Sequence, residues 1–493
     1  MKKSTIIFSF LFLVALFTSH VFAQDNVDYP VVDTGQTQCY GNSQAIVCPQ
    51  PGEPFYGQDA QYESAQPSYQ DNGDGTVTDL NTGLMWVKAR GSKIPWSEAL
   101  AGAAQCNVGG YQDWRMPTIK ELYSLIQFTG SQHTKTPYLD ADYFDFVFGD
   151  ESAGERSIDC QDWSSTEYVS TTMNGNPTAF GVNFADGRIK GYPKEARTLR
   201  GNKIHKLYVR YVRGNSAYGK NRFSDNGDNT VTDLATGLMW DQADSGRGMN
   251  WEDALAWVET KNRERYLGYS DWRLPSIKEL QSIADYKRSP DTTNSAAIDP
   301  VFQCTSITNE GGEKDYPFYW SGTTHLDNHG GAYVSFGRAL GWMESPRQTG
   351  SYQLMDVHGA GAQRSDPKTG DPSAYPHGKG PQGDVIRINN YVRLVRDGDV
   401  RTVLGDQTVI PESTRNTEGG PGRPESLQES GRGMQQGGTP PQEAIEACQG
   451  HQEGDSVKFQ TPHGTVQGTC RRIEGQLACV PERRPSGGGH SRF

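Results

Sequence analysis

The chain contains two long stretches that are near-copies of each other. Four shared motifs (DNGD-x-TVTDL-x-TGLMW, DWR-x-P-[TS]-IKEL, WS-x-T and YVR-x-VR) follow the same order at residues 71–86 and 225–240, 113–122 and 271–280, 163–166 and 320–323, and 208–213 and 391–396. A repeat of roughly 150 residues is too long for a solenoid unit. We therefore expect each copy to be a compact domain with its own core. Positions shared by the copies should serve the fold, and positions that differ are candidates for ligand binding.

The local signals inside each copy predict a mixed α+β fold. The DNGD stretch alternates turn formers with β-branched residues, which is typical of a hairpin. Thr118 with Glu121, and Ser276 with Glu279, form S/T-x-x-E capping boxes at the start of a helix. Trp96, Leu100 and Ala104 are spaced to share one face of an earlier helix. Further short strands rich in Trp, Tyr and Val indicate an antiparallel set with two helices in each copy.

The bulk composition excludes some classes of partner. The net charge is −12, which argues against general binding of nucleic acid or anionic membranes. Glycine (57 residues) and tyrosine (23 residues) are plentiful, which is typical of loop-rich extracellular domains. No stretch of the mature chain is apolar enough to predict a transmembrane helix.

The N-terminus predicts bacterial export to the periplasm, the cell surface or the medium. Lys2 and Lys3 precede an apolar run, and Val21-Phe22-Ala23 resembles a signal-peptidase site. Seven regions follow from this and from the repeat: a signal peptide (1–23), a leader (24–66), domain 1 (67–216), domain 2 (217–398), a disordered linker (399–442), a small cysteine-containing module (443–482) and a flexible tail (483–493).

The eight cysteines of an exported chain favour disulfides over metal thiolates. Cys39 and Cys48 are a natural local pair. Cys106 and Cys160 are candidates for a staple within copy 1. The tail holds three cysteines, one of which either stays free or pairs with Cys304, and the connectivity is open; the tail residues are Cys448, Cys470 and Cys479.

The DWR-x-P motif looks catalytic at first sight, since it places an acid, an arginine and a glutamate close together. We favour a structural interpretation, in which Trp114 is a core residue, Arg115 pairs with a carboxylate and Glu121 serves the helix cap. A metal site is a weaker alternative. It would use His325 and His329, which are four residues apart, with His358 and His377. The sequence predicts no cofactor.

A basic segment at residues 187–214 is the first candidate for ligand binding. It offers Arg188, Lys190, Arg197 and Arg200, and clustered Lys and Arg bind sulfate or carboxylate groups. Internal pairing of these cations within the fold is an equally supported interpretation.

An irregular, glycine-rich loop at about residues 342–387 is the second candidate. With the aromatic residues near it, this loop predicts a polar and aromatic surface for sugars. The residues we select for domain 2 are Trp320, Arg338, Trp342 and Arg364. A mobile insertion without a ligand is the alternative.

The ordered motif series, from TGLMW through DWR-x-P, WS-x-T and YVR-x-VR, closely resembles the Lcl C-terminal domain family, named after a bacterial collagen-like adhesin. The DWR-x-P segment also resembles formylglycine-generating-enzyme-like domains. The resemblance implies two tandem C-type-lectin-like domains and, for the adhesin, binding of sulfated glycans or host surfaces. The calcium–sugar motifs of C-type lectins and the paired cysteines of the enzyme are absent from this sequence, so the resemblance does not extend to those functions. The tail resembles a small four-cysteine module of exported bacterial proteins, with Val457 in the place of one cysteine.

These observations predict an exported, non-enzymatic protein that binds extracellular glycans or another surface polymer through two lectin-like domains. The first alternative is a structural or assembly protein of the cell envelope that binds protein partners. The second is a metal-dependent enzyme of the formylglycine-generating-enzyme-like class. Fold resemblance alone does not decide among them.

Overall fold

The computed structural model describes residues 27–198, 201–344, 350–397, 401–402, 447–449, 451–452, 454–461, 464–473 and 476–481. The predicted signal peptide, Arg200, nearly all of the predicted linker and the predicted tail lie outside the described residues, and so does the side chain of Arg197. The chain divides into two compact units, Met1–Thr417 and Glu418–Phe493, each of which is considered by itself. No described helix is both long and apolar enough to cross a membrane.

The leader and copy 1 are built mostly of short antiparallel strands with two helices. The leader strands are β1 (Cys39–Tyr40), β2 (Ala45–Ile46) and β3 (Tyr62–Glu63). The elements of copy 1 are β4 (Tyr69–Asp71), β5 (Thr76–Asp79), β6 (Leu84–Val87), β7 (Ile94–Pro95), α1 (Trp96–Gly102), α2 (Ile119–Ser124), β8 (Asp162–Thr172), β9 (Asn176–Asn183), β10 (Arg188–Pro193), β11 (Glu195–Thr198), β12 (Gly201–Ile204), β13 (Lys206–Leu207) and β14 (Val212–Gly214).

Copy 2 repeats this order and adds elements after its second helix. Its elements are β15 (Phe223–Asp225), β16 (Thr230–Asp233), β17 (Leu238–Asp241), α3 (Trp251–Arg263), α4 (Ile277–Ser282), α5 (Pro290–Thr293), β18 (Ile307–Thr308), β19 (Lys314–Asp315), β20 (Phe318–His325), β21 (Gly330–Ser335), β22 (Leu340–Glu344), β23 (Tyr352–Asp356), β24 (Gln363–Asp366) and β25 (Val395–Asp397). A last strand of this unit, β26 (Arg401–Thr402), pairs with β3 of the leader.

The repeated motifs form the same four-stranded antiparallel sheet in each copy. The DNGD stretches are hairpins, as predicted, and the final YVR-x-VR strand closes each sheet, giving the orders β14-β6-β5-β4 and β15-β16-β17-β25. Both predicted capping boxes are present, because the Thr118 and Ser276 hydroxyls accept from the backbone N–H of Glu121 and Glu279 at 3.2 and 3.3 Å. The two copies therefore share one topology over these elements, as the repeat predicts.

The first helix of copy 1 differs from the prediction. The helix ends at Gly102 after two turns, and Leu100 is 45% exposed while Ala99 is fully buried. Trp96 is held at the helix start by a hydrogen bond from its indole N–H to the Ser164 carbonyl (2.9 Å). The predicted face through Leu100 is therefore wrong, because the buried side of this segment runs through Trp96, Ala99 and Ala103 instead.

The two copies are joined by one central sheet of six antiparallel strands, in the order β20-β21-β24-β10-β9-β8. Three strands come from each copy, and the junction pairs Ile189 of copy 1 with Gln363 of copy 2. The predicted irregular loop at about residues 342–387 is thus partly regular. It contributes β24 to the junction and forms the β22–β23 hairpin.

The expectation of two separate cores is only partly met. Each copy has its own small apolar cluster, around Trp163 in copy 1 and around Trp320 in copy 2. A larger cluster, however, contains buried residues of both copies, and Phe180 of copy 1 packs edge-on against Tyr286 of copy 2 with ring centroids 4.9 Å apart. The copies are tandem domains that share a central core, because the apolar faces of their second helices and central strands are buried against each other.

Helices α2 and α4 meet at this junction through a reciprocal pair of lysines. Lys120 on α2 donates to the Ser282 carbonyl (2.6 Å), and Lys278 on α4 donates to the Ser124 carbonyl (2.9 Å). Ser124 and Ser282 are the last residues of the two helices, whose terminal carbonyls lack partners within the helix. Each helix is thus closed by the lysine of the other, as expected for an approximate two-fold relation between the copies.

The leader packs along copy 2. The Gln36 side chain makes two hydrogen bonds with the Thr324 backbone (2.8 and 2.9 Å), and buried Asp59 accepts from the hydroxyls of Thr34 and Thr323 (2.7 and 2.6 Å). Burial, with the nearby charge of Asp33, raises the pKa of Asp59 to about 7. The leader is therefore part of the same packed unit.

The disulfide predictions have a mixed outcome. Cys39 and Cys48 are bonded, as expected for the local pair. Cys106 and Cys160 are free thiols, so the proposed staple within copy 1 is wrong, and Cys304 is also free, with its sulfur 3.0 Å from the Tyr319 hydroxyl. In copy 1, Cys106 follows the first helix whereas Cys160 lies at the start of the central sheet, and these elements are held by packing instead.

The C-terminal unit is a three-stranded antiparallel meander of β27 (Ser456–Thr461), β28 (Gly464–Ile473) and β29 (Gln476–Pro481). Cys470 is bonded to Cys448, a pairing that the sequence left open among the three tail cysteines. Cys470 and Cys479 lie opposite each other on β28 and β29. Cys448 precedes the first strand and reaches the buried Cys470 from outside the sheet.

Candidate functional site

The DWR-x-P motif is structural in both copies. Trp114 and Trp272 are 5% and 1% exposed, Arg115 pairs with Glu121, and Arg273 makes a two-pronged pair with Glu279 at 2.5 and 2.6 Å. The arginine thus fixes the same glutamate that closes the capping box. The structural interpretation of the tryptophan, the arginine and the glutamate is therefore confirmed.

Most cations of the basic segment also have partners within the fold. Arg188 and Lys190 both pair with buried Asp186, at 3.2 and 3.0 Å. Although burial disfavours its charge, the neighbouring Lys190 and Arg188 lower the pKa of Asp186 to about 2. Arg188 is therefore wrong as a free contact for an anion, because its charge already balances Asp186, while Lys190 keeps one side on a cleft described below.

Three of the four residues selected in copy 2 have their polar groups held by partners within the fold. Trp320 is fully buried and donates its indole N–H to the Met249 carbonyl (2.9 Å). Arg338 pairs with Asp291 (2.7 Å) and Asp315 (3.4 Å), and Arg364 pairs with Asp384 beside the junction of the two copies. Trp320 is wrong as a surface residue because its ring is buried, and Arg364 is wrong as a free contact because its charge balances Asp384. Arg338, which lines a further pocket of about 510 Å³, stays a prediction.

The predicted histidine cluster does not form a metal site. His325 and His358 are buried, with pKa values lowered to about 4 by burial, and His377 is an exposed side chain stacked on Tyr352. Within the described part of the chain, no group of three or more His, Cys, Asp or Glu side chains could hold a metal ion.

Two open clefts occupy corresponding places in the two copies. Cleft 1, in copy 1, has a volume of about 1180 Å³, and cleft 2, in copy 2, about 520 Å³. Both clefts are lined by residues at equivalent positions of the repeat. These are the residue two positions before the tryptophan of WS-x-T and the two residues directly before YVR-x-VR. These positions hold Gln161, Lys206 and Leu207 in copy 1, and Phe318, Asn389 and Asn390 in copy 2.

An aromatic residue also lines each cleft, on the third strand counted from the strand that carries the WS-x-T motif. Tyr192 follows Gly191 on β10, and Trp342 follows Gly341 on β22. A side chain at either glycine would collide with backbone, since the added carbon would lie 2.6 Å from the His358 carbonyl oxygen or 2.5 Å from that of Gln382. The same scaffold thus presents one aromatic ring to each cleft.

Cleft 2 has aromatic walls. The partly exposed rings of Trp342, Tyr375 and Tyr391 line it together with Pro372 and Pro376. Trp342 is fixed by its backbone N–H, which donates to the Gly383 carbonyl (2.8 Å), and its ring edge meets His377 with centroids 6.5 Å apart. The Trp342 face of the cleft is therefore held in place by the β22–β23 hairpin and its neighbour Gly383.

The floor of cleft 2 is polar and preorganised. The Arg387 guanidinium lies 3.9 Å from the centre of the Phe318 ring and forms a two-pronged pair with Glu310 at 2.9 and 3.0 Å. Although burial opposes its charge, Arg387 lowers the pKa of Glu310, which stays ionised. Exposed Asn389 adds an amide at the rim. Flat apolar faces beside a few fixed polar groups are typical of small-molecule sites.

Cleft 1 has charged walls. Lys93 pairs with Glu155 and Arg156 with Asp159, each at 2.5 Å, and Lys190 and exposed Lys206 add two more cations. Burial lowers the pKa of Lys190 to about 8. Met343, Glu344, Pro381 and Gln382 of copy 2 complete the lining. Cleft 1 therefore belongs to both copies and surrounds the ring of Tyr192 with charged side chains, most of them in ion pairs.

Sequence reasoning identified Lys190 and Trp342 among the lining residues and missed the others. The missed residues of cleft 2 include Phe318, Tyr375, Arg387 and Asn389, and those of cleft 1 include Arg156 and Lys206. A comparison of the two copies position by position could have found Lys206 and Asn389, because they differ immediately beside an otherwise identical motif.

The fold and the paired clefts define a tandem repeat of mixed domains with mostly antiparallel sheets and few helices. The chain belongs to the Lcl C-terminal domain family, whose model matches residues 75–213 and 229–357, more than half of the chain. This confirms the family predicted from the motif series. No curated protein and no solved structure matches the chain.

Proposed function

We propose that the protein is an exported, non-enzymatic binding protein that recognises extracellular glycans or other surface polymers through cleft 1 and cleft 2. The observation that carries the proposal is the pair of corresponding clefts with different linings. The two copies keep the same buried motifs, whereas the exposed cleft residues beside the last motif, Lys206 and Asn389, differ, as expected for a recognition surface.

Cleft 2 is the proposed site for the sugar ring. A pyranose has an apolar face of C–H groups and a rim of hydroxyls, and cleft 2 offers aromatic faces beside the Arg387–Glu310 pair and Asn389. Tyrosine and tryptophan supply apolar contact area at low cost in conformational entropy, while carboxylate, guanidinium and amide groups satisfy the hydroxyls. The volume of about 520 Å³ suits one or two sugar units.

Cleft 1 is the proposed site for charged substituents of the same class of polymer. Lys93 and Arg156 already have carboxylate partners, so a sulfate or carboxylate group of the polymer would displace Glu155 or Asp159 from an existing contact. Such an exchange gives a small net gain in free energy at each contact. Two modest sites on one rigid scaffold gain avidity when a polymer spans both.

A glycan array tests the proposal with the full chain and a double variant, Trp342→Ala with Tyr375→Ala. The matched control is Trp257→Ala, which removes another half-buried tryptophan, on helix α3 and outside both clefts. We expect the wild-type protein and the control to bind the same glycans and the double variant to lose that binding. An array without signal for the wild-type protein, or equal binding by the double variant, would refute the proposal.

A further inference from the structure

The amine of Lys120 lies against the side-chain amide of Asn221 at the junction of the copies. Lys120 Nζ is 2.7 Å from Asn221 Oδ1 and 2.6 Å from the Ser282 carbonyl oxygen. Tyr29, Tyr123 and Tyr218 surround the lysine, around a cavity of only about 10 Å³. This burial lowers the pKa of Lys120 to about 8, so about a tenth of the amine is uncharged at pH 7 and able to act as a nucleophile.

The same amide is held on its other side by a buried carboxylate. Asn221 Nδ2 donates to Asp233 Oδ2 at 2.7 Å, and Asp233 is fully buried. The backbone N–H groups of Arg222 and Ala235 fix the other oxygen of Asp233 at 2.8 and 3.1 Å. An amine, an amide and a carboxylate are therefore aligned, with the carboxylate on the nitrogen that would leave.

The equivalent lysine of copy 2 lacks this arrangement. Lys278 donates to two backbone carbonyls, those of Asp33 (3.0 Å) and Ser124 (2.9 Å). The position in copy 1 that corresponds to Asn221, two residues before the first strand of the DNGD hairpin, is Pro67. The fold requires a lysine at each helix but an amide beside only one of them, so a helix-capping role does not account for Asn221.

We propose that Lys120 and Asn221 become joined by an intramolecular amide bond. Lys120 Nζ forms a bond to Asn221 Cγ, the bond from Cγ to Nδ2 breaks, and one ammonia molecule leaves. Asp233 accepts a proton from the attacking amine and delivers it to the departing nitrogen, so the carboxylate is regenerated. No oxidant or reductant takes part. Apart from the released ammonia, all atoms of the two side chains are retained.

The bond would tie helix α2 of copy 1 to the segment that enters β15 of copy 2. The two residues are 101 positions apart, so the link closes a long loop across the junction. A covalent link of this kind restricts the unfolded chain much as a disulfide does, and it cannot be undone by reduction. An exported binding protein under mechanical load would gain from it, but the bond stands independently of what the clefts bind.

Peptide mapping of the full wild-type chain tests the bond directly. Trypsin cannot cleave after an acylated lysine, so we expect peptide 116–135 with an uncut Lys120, bearing residues 221–222 as a branch and lacking the mass of one ammonia. Lys278 is the internal control and should be cleaved normally to give peptide 274–278. Recovery of unlinked peptides 116–120 and 121–135 in full yield would overturn the proposal.

Four variants separate the chemistry from a hydrogen-bonding role. Lys120→Arg and Asn221→Ala should show the full mass calculated from their sequences and a lower melting temperature. Lys278→Arg should still lack the mass of one ammonia relative to its own sequence. Asp233→Asn should reduce the linked fraction even where Lys120 and Asn221 are intact. A linked fraction unaffected by Asp233→Asn in a folded protein would refute the role given to the carboxylate. The mass readout needs no glycan, so it is independent of the array experiment.

Discussion

In copy 1 the final YVR-x-VR motif is preceded by Lys206 and Leu207, and in copy 2 by Asn389 and Asn390, although the motif behind them is nearly the same. The arginine of the first YVR triplet, Arg210 or Arg393, is fully buried in each copy and donates to three backbone carbonyls. The comparison teaches where the two copies are constrained. The arginine that satisfies buried backbone groups is the same in both copies, whereas the exposed cleft residues Lys206 and Asn389 differ.

The largest effect is expected from removing the shared arginine. Arg210→Met or Arg393→Met leaves three buried carbonyls without a donor, and each variant should lose about 5 kcal/mol of unfolding free energy. Denaturant titrations of the two variants check this. Equal losses support one scaffold in both copies, whereas a loss confined to one variant would show that the arginines have different roles.

The shared core predicts that damage in copy 1 is felt in copy 2. Phe180→Ala empties a fully buried site against Tyr286 and should cost about 4 kcal/mol. Hydrogen exchange should then show faster opening of β9 and of β21 to the same extent, because one cooperative unit contains both. Faster exchange in the strands of copy 1 alone would break the account of a common core.

A smaller effect distinguishes the copies by pH. His325 occupies the position of Tyr168 in copy 1, and burial together with nearby Arg188 lowers the pKa of His325 from 6.5 to about 4. The uncharged ring is the native form, so its contribution is fully present above pH 6.5 and is lost as the pH falls towards 4.

This contribution amounts to about 3 kcal/mol between neutral pH and pH 4. Unfolding free energies measured at pH 7 and pH 4 should therefore fall by about 3 kcal/mol less in His325→Gln than in the wild-type protein. His377→Gln, which changes an exposed histidine, is the matched control and should follow the wild-type protein. The same fall in His325→Gln and in the control would contradict the assignment.

Sequence reasoning reached the parts of the fold that local chemistry determines. The hairpins, capping boxes and buried DWR tryptophans follow from residues near each other in the chain, and the repeat made each inference twice. The common core and the six-stranded sheet did not follow, because the pairing of Ile189 with Gln363 joins distant segments that carry no local signal.

For the same reason, only some residues of the two clefts could be predicted from the sequence. Arg188 and Arg364 look like surface cations in the sequence, and only the fold reveals that Asp186 and Asp384 neutralise them. Lys190 and Trp342 do line clefts, but their neighbours there come from β13, from the segment before β20 and from the turn near Tyr375. A cleft built from several segments has no contiguous signature.

The most direct test of the account is a calorimetric titration of one preparation with a neutral oligosaccharide and with a sulfated one, repeated for Trp342→Ala and Lys206→Glu. Loss of the tryptophan face should weaken the neutral ligand about tenfold, which is about 1.4 kcal/mol, and spare the sulfated ligand. Reversal of the Lys206 charge should do the opposite. Equal weakening of both ligands by both variants, or of neither ligand by either variant, would contradict two clefts of different specificity on one duplicated scaffold.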